Sequence, residues 1–122
     1  MTPLVIAIDG PAGAGKSTIA KALARSMGIG YLDTGAMYRG VTFEVLRRGL
    51  EATDVESVAR VAREVVLEQG MDSLRVNGED ATAAIRTPAV DAAVSHVAAN
   101  SAVREELRER QRKWIAEHGG GV

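Results

Sequence analysis

The segment Gly10-Pro11-Ala12-Gly13-Ala14-Gly15-Lys16-Ser17 puts a lysine and a hydroxyl at the end of a glycine-rich stretch. It meets every fixed position of the phosphate-binding pattern known as the P-loop. Glycines let the backbone wrap so that successive N–H groups point inward at phosphate oxygens. A helix starting after the loop adds the partial positive charge of its N-terminus at the same spot. Lys16 can reach β- and γ-phosphates, the Ser17 hydroxyl suits Mg²⁺, and Thr18 is a further contact near the α-phosphate. The rival reading, a glycine-rich turn that binds nothing, fits poorly because a strand-like run precedes the loop and a helical pattern follows it. The expected chemistry is a grip on a nucleoside triphosphate, with the acceptor left unspecified.

A second constellation is Asp33-Thr34-Gly35-Ala36-Met37-Tyr38-Arg39. A hydroxyl, a helix start and an arginine come together just past a short apolar run, where open α/β sheets place ligands. That set suits a second phosphate, which Arg39 could hold bidentately. The same residues read equally well as a capped helix start with a surface arginine. His96 and His118 read as bystanders, since neither has a carboxylate or second histidine at ligand spacing. The absence of cysteine excludes disulfides, thiolate metal sites and a cysteine nucleophile. A net charge of −1 leaves no global field for nucleic acid or anionic lipid, so any anion must be held locally. No run is long and apolar enough to span a bilayer, and no leader pattern opens the chain, so a cytoplasmic protein is expected.

The elements that must position these residues follow from periodicity. A length of 122 residues suits one domain. Residues 4–8 form a short β-branched run that reads as a strand buried on both faces. Residues 18–27 read as a helix with Ile19, Leu23 and Met27 on one face, and Tyr31-Leu32 as a second short strand. A helix over residues 36–48 carries Val41, Val45 and Leu46 on one side. Thr53-Asp54-Val55-Glu56 has the form of a capping box opening another helix. Residues 64–69 read as helix or strand, residues 73–77 as strand, and Asn77-Gly78 as a turn. Thr87-Pro88 should open a helix, and Asn100-Ser101 should cap a last one from Ala102 to about His118, with Trp114 as a core anchor.

With these segments in view, the chain resembles the bacterial cytidylate kinase family. GPAGAGKST followed by LDTGAMYR carries the likeness, and Gly78-Glu79-Asp80, Ile85-Arg86-Thr87, Val94-Ser95-His96-Val97-Ala98-Ala99 and Val103-Arg104-Glu105 agree in order. The resemblance implies an α/β fold of the P-loop nucleoside monophosphate kinase type, a parallel sheet flanked by helices. It also implies a small antiparallel insert over residues 64–85, which tilts residues 64–69 toward strand. The chain would be a single partial domain: loop core at 1–53, monophosphate-binding insert region at 54–100, and a returning helix at 101–122. The family continues with a third core strand, near Val122, and an arginine-bearing lid, so residues 4–8 should present an unpaired edge.

The same resemblance implies phosphoryl transfer from ATP, with Mg²⁺, to CMP or dCMP, and Lys16 as the catalytic residue. Thr34 and Arg39 would contact the monophosphate and Tyr38 would pack beside the nucleotide, with Asp33 and Arg86 helping to shape the acceptor pocket. Ser95 and Arg104 would recognise the cytosine ring, although they also read as a small buried polar residue and a solvated surface arginine. Nucleotides are the only partners implied, with no nucleic acid, membrane or protein partner. Two other functions stay open: a P-loop kinase for another small molecule, such as a different monophosphate or shikimate, and a nucleotide-binding fragment without catalysis. The Asn-Lys-x-Asp motif of GTPase switches does not occur.

Overall fold

The computed structural model describes residues 4–5, 16–27, 32–70, 73–118 and 120–121. It divides into two compact units, one made of Met1–Asp33 with Arg110–Val122 and the other of Thr34–Glu109.

In Thr34–Glu109 the organising element is a helix, α2 (Thr34–Arg47), which follows α1 (Lys16–Met27) of the other unit. Ala36, Met37, Gly40, Val41 and Val45 recur at helical spacing and are all buried. α2 packs on α3 (Val55–Glu64), on strand β3 (Leu74–Val76), on a single 3-10 turn (Ala84–Arg86) and on α4 (Pro88–Ala99). Gly40 sets how close it comes to the strands. A Cβ there would stand 2.8 Å from Leu67 Cδ2 and 3.1 Å from Leu74 Cδ2, so only hydrogen fits without Leu67 giving way.

The strands themselves form a three-stranded antiparallel sheet in the order β2 (Leu67–Gln69), β3, β4 (Glu79–Asp80), with Leu67 opposite Val76 and Arg75 opposite Asp80. Leu74 and Val76 are buried and Arg75 is exposed, the alternation of a sheet with one covered face. Asn77 at φ 51° and Gly78 at φ 82° make the tight turn that residues able to take positive φ provide. Asn77 is also tied to the segment before β2: its N–H donates to Val66 O at 2.8 Å, and its Oδ1 accepts from Val66 N at 2.8 Å. Residues 64–69 thus divide, with α3 ending at Glu64 and Leu67–Gln69 as strand.

Side chains cap the starts of α3 and α5 (Ser101–His118) but not that of α4. The cap of α3 is Asp54, one residue later than the Thr53 box expected, because its carboxylate accepts from Ser57 N at 3.2 Å and Ser57 Oγ at 2.9 Å. Thr87 stands at the cap position of α4, but its hydroxyl donates back to Ala84 O at 3.0 Å, which the preceding 3-10 turn brings within reach. Asn100 caps α5 by accepting from Ala102 N at 3.1 Å, and its Nδ2 donates to Val55 O at 3.0 Å, binding the α4–α5 junction to the start of α3.

In the other unit, β1 (Leu4–Val5) pairs in parallel with β5 (Gly120–Gly121), Leu4 opposite Gly120 and Val5 opposite Gly121. α1 does not bury the face that periodicity pointed to: Ala20 and Ala24 are buried, while Ile19 and Met27 are 54% and 44% exposed. Trp114 is half-buried rather than a core anchor. Its ring stacks on His118 at 4.3 Å between centroids, and His118 Nδ1 donates to Trp114 O at 2.9 Å.

The expected fold class is therefore corrected. The described chain is mostly helical, and its sheet of three strands is antiparallel, not the parallel sheet flanked by helices of a P-loop kinase. Parallel pairing among the described residues is confined to the two-residue β1–β5 pair, which also gives the edge at Leu4–Val5 a partner it was expected to lack. The physical reason is locality. A tight turn joins β3 to β4 and a short connection joins β2 to β3, whereas parallel neighbours need long crossovers. Leu32 is not in a strand, and Tyr31 and residues 6–8 lie outside the described residues.

Candidate functional site

α2 buries one face in its unit; within the second constellation Ala36 and Met37 lie on that face, while Thr34, Tyr38 and Arg39 lie off it. Thr34 is exposed as the first residue of the helix, Asp33 is half-buried just before it, and Tyr38 is half-buried one turn later. Arg39 emerges beside the covered face. Its NH1 donates to Ile85 O at 3.0 Å and to Asp91 Oδ1 at 2.5 Å. The Arg39 side chain is 22% exposed and that of Asp91 56%. A guanidinium carries five N–H donors. The two on NH1 are engaged, and among the described residues Nε and NH2 have no partner. The result is a partly sheltered cation, anchored at one nitrogen and, among the described residues, open along one edge.

The remaining acceptor candidates stand on three further elements. Arg86 is exposed and directly follows Ile85, whose carbonyl holds Arg39. Ser95 is exposed on α4 four residues after Asp91, hence on the same helical face one turn on. Arg104 is exposed on the first turn of α5, beside the buried Val103. No hydrogen bond or ion pair of Arg39 reaches Arg86, Ser95 or Arg104. Of the triphosphate loop, Gly10, Pro11, Ala12, Gly13, Ala14 and Gly15 lie outside the described residues. Lys16 and Ser17 are the first residues of α1, and Thr18 is exposed on its first turn. Among the described residues no cluster of three or more His, Asp or Glu could hold a metal ion.

Asp91 is the site residue that sequence reasoning missed. An acid in the first turn of a helix opened by Pro88 reads as compensation of the helix dipole, and nothing in the spacing links it to a residue 52 positions earlier.

The family described as cytidylate kinase has a model that matches residues 6–122. A cytidylate kinase of Limosilactobacillus reuteri (strain DSM 20016) is 50% identical over 123 residues, covering 98% of this chain and 54% of that protein. One from Desulfitobacterium hafniense (strain Y51) is 51% identical over 120 residues, 95% of this chain and 51% of the relative. A bifunctional pantoate ligase/cytidylate kinase of Synechococcus sp. (strain JA-2-3B'a(2-13)) is 48% identical over 125 residues, 97% of this chain and 23% of the relative. The chain belongs to the cytidylate kinase family. It spans about half the length of the single-function curated relatives it matches.

Proposed function

We propose that the protein transfers the γ-phosphoryl group of ATP to CMP or dCMP, giving ADP and CDP or dCDP. The observation that carries this reading is the family match, which runs from residue 6 to residue 122 and takes in both phosphate-binding constellations. An oxygen of the acceptor monophosphate attacks the γ-phosphorus while the bond to the β-bridging oxygen breaks. The attacking group is already an anion near neutral pH, so no general base is required. The protein's task is alignment and positive charge.

In this reading the amides of residues 10–15 and the N-terminus of α1 cradle the triphosphate, with Thr18 near the α-phosphate. Lys16 meets the charge that grows between the β- and γ-phosphates. The Ser17 hydroxyl, a hard oxygen donor, would help hold Mg²⁺, which would supply positive charge to the phosphates. Thr34 and Arg39 hold the acceptor phosphate, Tyr38 flanks the nucleotide, Asp33 and Arg86 shape the pocket, and Ser95 and Arg104 read the cytosine ring. The open edge of Arg39 supports its part, since Nε–H with one N–H of NH2 makes the fork that grips two phosphate oxygens. The reaction belongs in the cytoplasm, where both nucleotides are available. Consistent with that, no helix among the described residues is long and apolar enough to cross a membrane.

Arg39→Ala in the full-length protein tests the acceptor clamp. A lost bidentate contact to a charged group costs roughly 1.5–3 kcal/mol, so the KM for CMP should rise at least about tenfold. The KM for ATP should stay within about twofold. Equal weakening of both nucleotides would make Arg39 structural.

A further inference from the structure

We propose that Asp91 is a positioning residue for the acceptor phosphate: with the Ile85 carbonyl it fixes one nitrogen of Arg39, so that the Nε–NH2 edge is presented to the substrate. The inference rests on the reading of Arg39 as the phosphate clamp. An unrestrained arginine has several rotatable bonds and two edges on which it can meet an oxyanion. Here NH1 donates to a backbone acceptor and a carboxylate at once, and this closes the NH1 side. The edge that remains carries Nε–H and an N–H of NH2, which run parallel and match two oxygens of one phosphate.

Both anchors sit on structure that α2 itself packs against, the 3-10 turn that carries Ile85 and the first turn of α4 that carries Asp91. The guanidinium is thereby referenced to three elements rather than hanging from one. Asp91 engages it through a single oxygen and is 56% exposed, so water screens its negative charge. The orientation gained then outweighs the repulsion between carboxylate and incoming phosphate. Asp91 also sets the face of α4 on which Ser95 stands one turn further on, so the same contact ties the phosphate clamp to the helix proposed to read the base.

The experiment measures steady-state kinetics of the full-length protein carrying Asp91→Asn, Arg39→Ala, or both, with CMP and ATP varied separately. For a partly exposed pair, Asp91→Asn should raise the KM for CMP about three- to fivefold and leave the KM for ATP unchanged. In the Arg39→Ala background the same change should add nothing, because the residue acts only through Arg39. A KM for CMP that is unchanged or lower in Asp91→Asn would overturn the proposal, the lower value marking Asp91 as a competitor of the phosphate. An equal rise in the Arg39→Ala background would overturn it too, by showing that Asp91 acts through α4 alone. If Arg39→Ala itself leaves the KM for CMP unaltered, the clamp reading fails first and this one with it.

Discussion

A cation that must bind an anion productively has to be desolvated in part and aimed. Arg39 meets both needs, being 22% exposed and tethered at NH1, while Thr34, Arg86 and Ser95 are exposed. Lys16 faces a different demand. On the proposed reading it meets the phosphate whose charge changes during transfer, so its contribution should appear in turnover rather than in ground-state affinity. Lys16→Ala should lower kcat by at least about a hundredfold, equivalent to roughly 3 kcal/mol of transition-state stabilisation. Thermal unfolding of the variant should match that of the parent, as expected of a residue that acts on the ligand. A kcat within about threefold of the parent would remove Lys16 from the reaction.

At the scale of the element, α2 does two jobs on two parts of its length. Its N-terminal half bears Thr34, Tyr38 and Arg39, and its C-terminal end is locked by charge. Glu44 is buried, and its carboxylate accepts from Arg47 Nε and NH2 at 2.7 and 2.8 Å and from Arg48 Nε at 2.8 Å. Arg48 also reaches Glu64 Oε2 at 2.9 Å, joining the end of α2 to the end of α3. Hydrogen bonds from Arg47, then Arg48, hold the Glu44 carboxyl below its ordinary range, although burial pulls the other way. A carboxylate whose pKa is lower when folded stabilises the fold above its unfolded value and loses that contribution as pH falls through the folded one. The melting temperature should therefore decline as pH drops below about 4. Glu44→Gln should lower stability near neutrality by about 1–2 kcal/mol and flatten part of that acid decline. An acid decline identical in parent and variant would place the sensitivity elsewhere, with Asp54 and Asp80, whose hydrogen bonds to Ser57 and Thr82 also depress their carboxyls, as the next groups to examine.

At the scale of the whole molecule, the largest fully buried apolar side chains among the described residues gather in one unit. Leu74, Leu107, Val41, Val45, Val58, Val61, Val65, Val76, Val90, Val97 and Val103 are fully buried, and every one falls within Thr34–Glu109. A core of this kind, capped by Asn100 and sealed against a hairpin, has what independent folding requires. Residues 34–109 produced alone should show helical circular dichroism and a single cooperative thermal transition. A broad, non-cooperative melt would mean that the rest of the chain completes this core.

Periodicity and local chemistry made much of this protein legible without coordinates. The helix after the glycine-rich loop, the Asn77-Gly78 turn, the break at Asn100 and the burial of Val41 and Val45 are consequences of short-range preference, which a linear sequence carries directly. The glycine-rich loop and the Thr34–Arg39 stretch could be read as candidate phosphate contacts for the same reason, since residue type and spacing are local. Tertiary structure decided what depends on distant partners. It made antiparallel pairing the rule for the sheet, turned α1 so that Ala20 and Ala24 are buried instead of Ile19 and Met27, and gave Leu4–Val5 a partner in Gly120–Gly121. It also brought Asp91 to Arg39 across 52 residues. Helical spacing accounts for Glu44 meeting Arg47 and Arg48, but no local preference encodes a pair so far apart in the chain. That pairing is made by how α2, the 3-10 turn and α4 pack, and packing is a property of the folded chain alone.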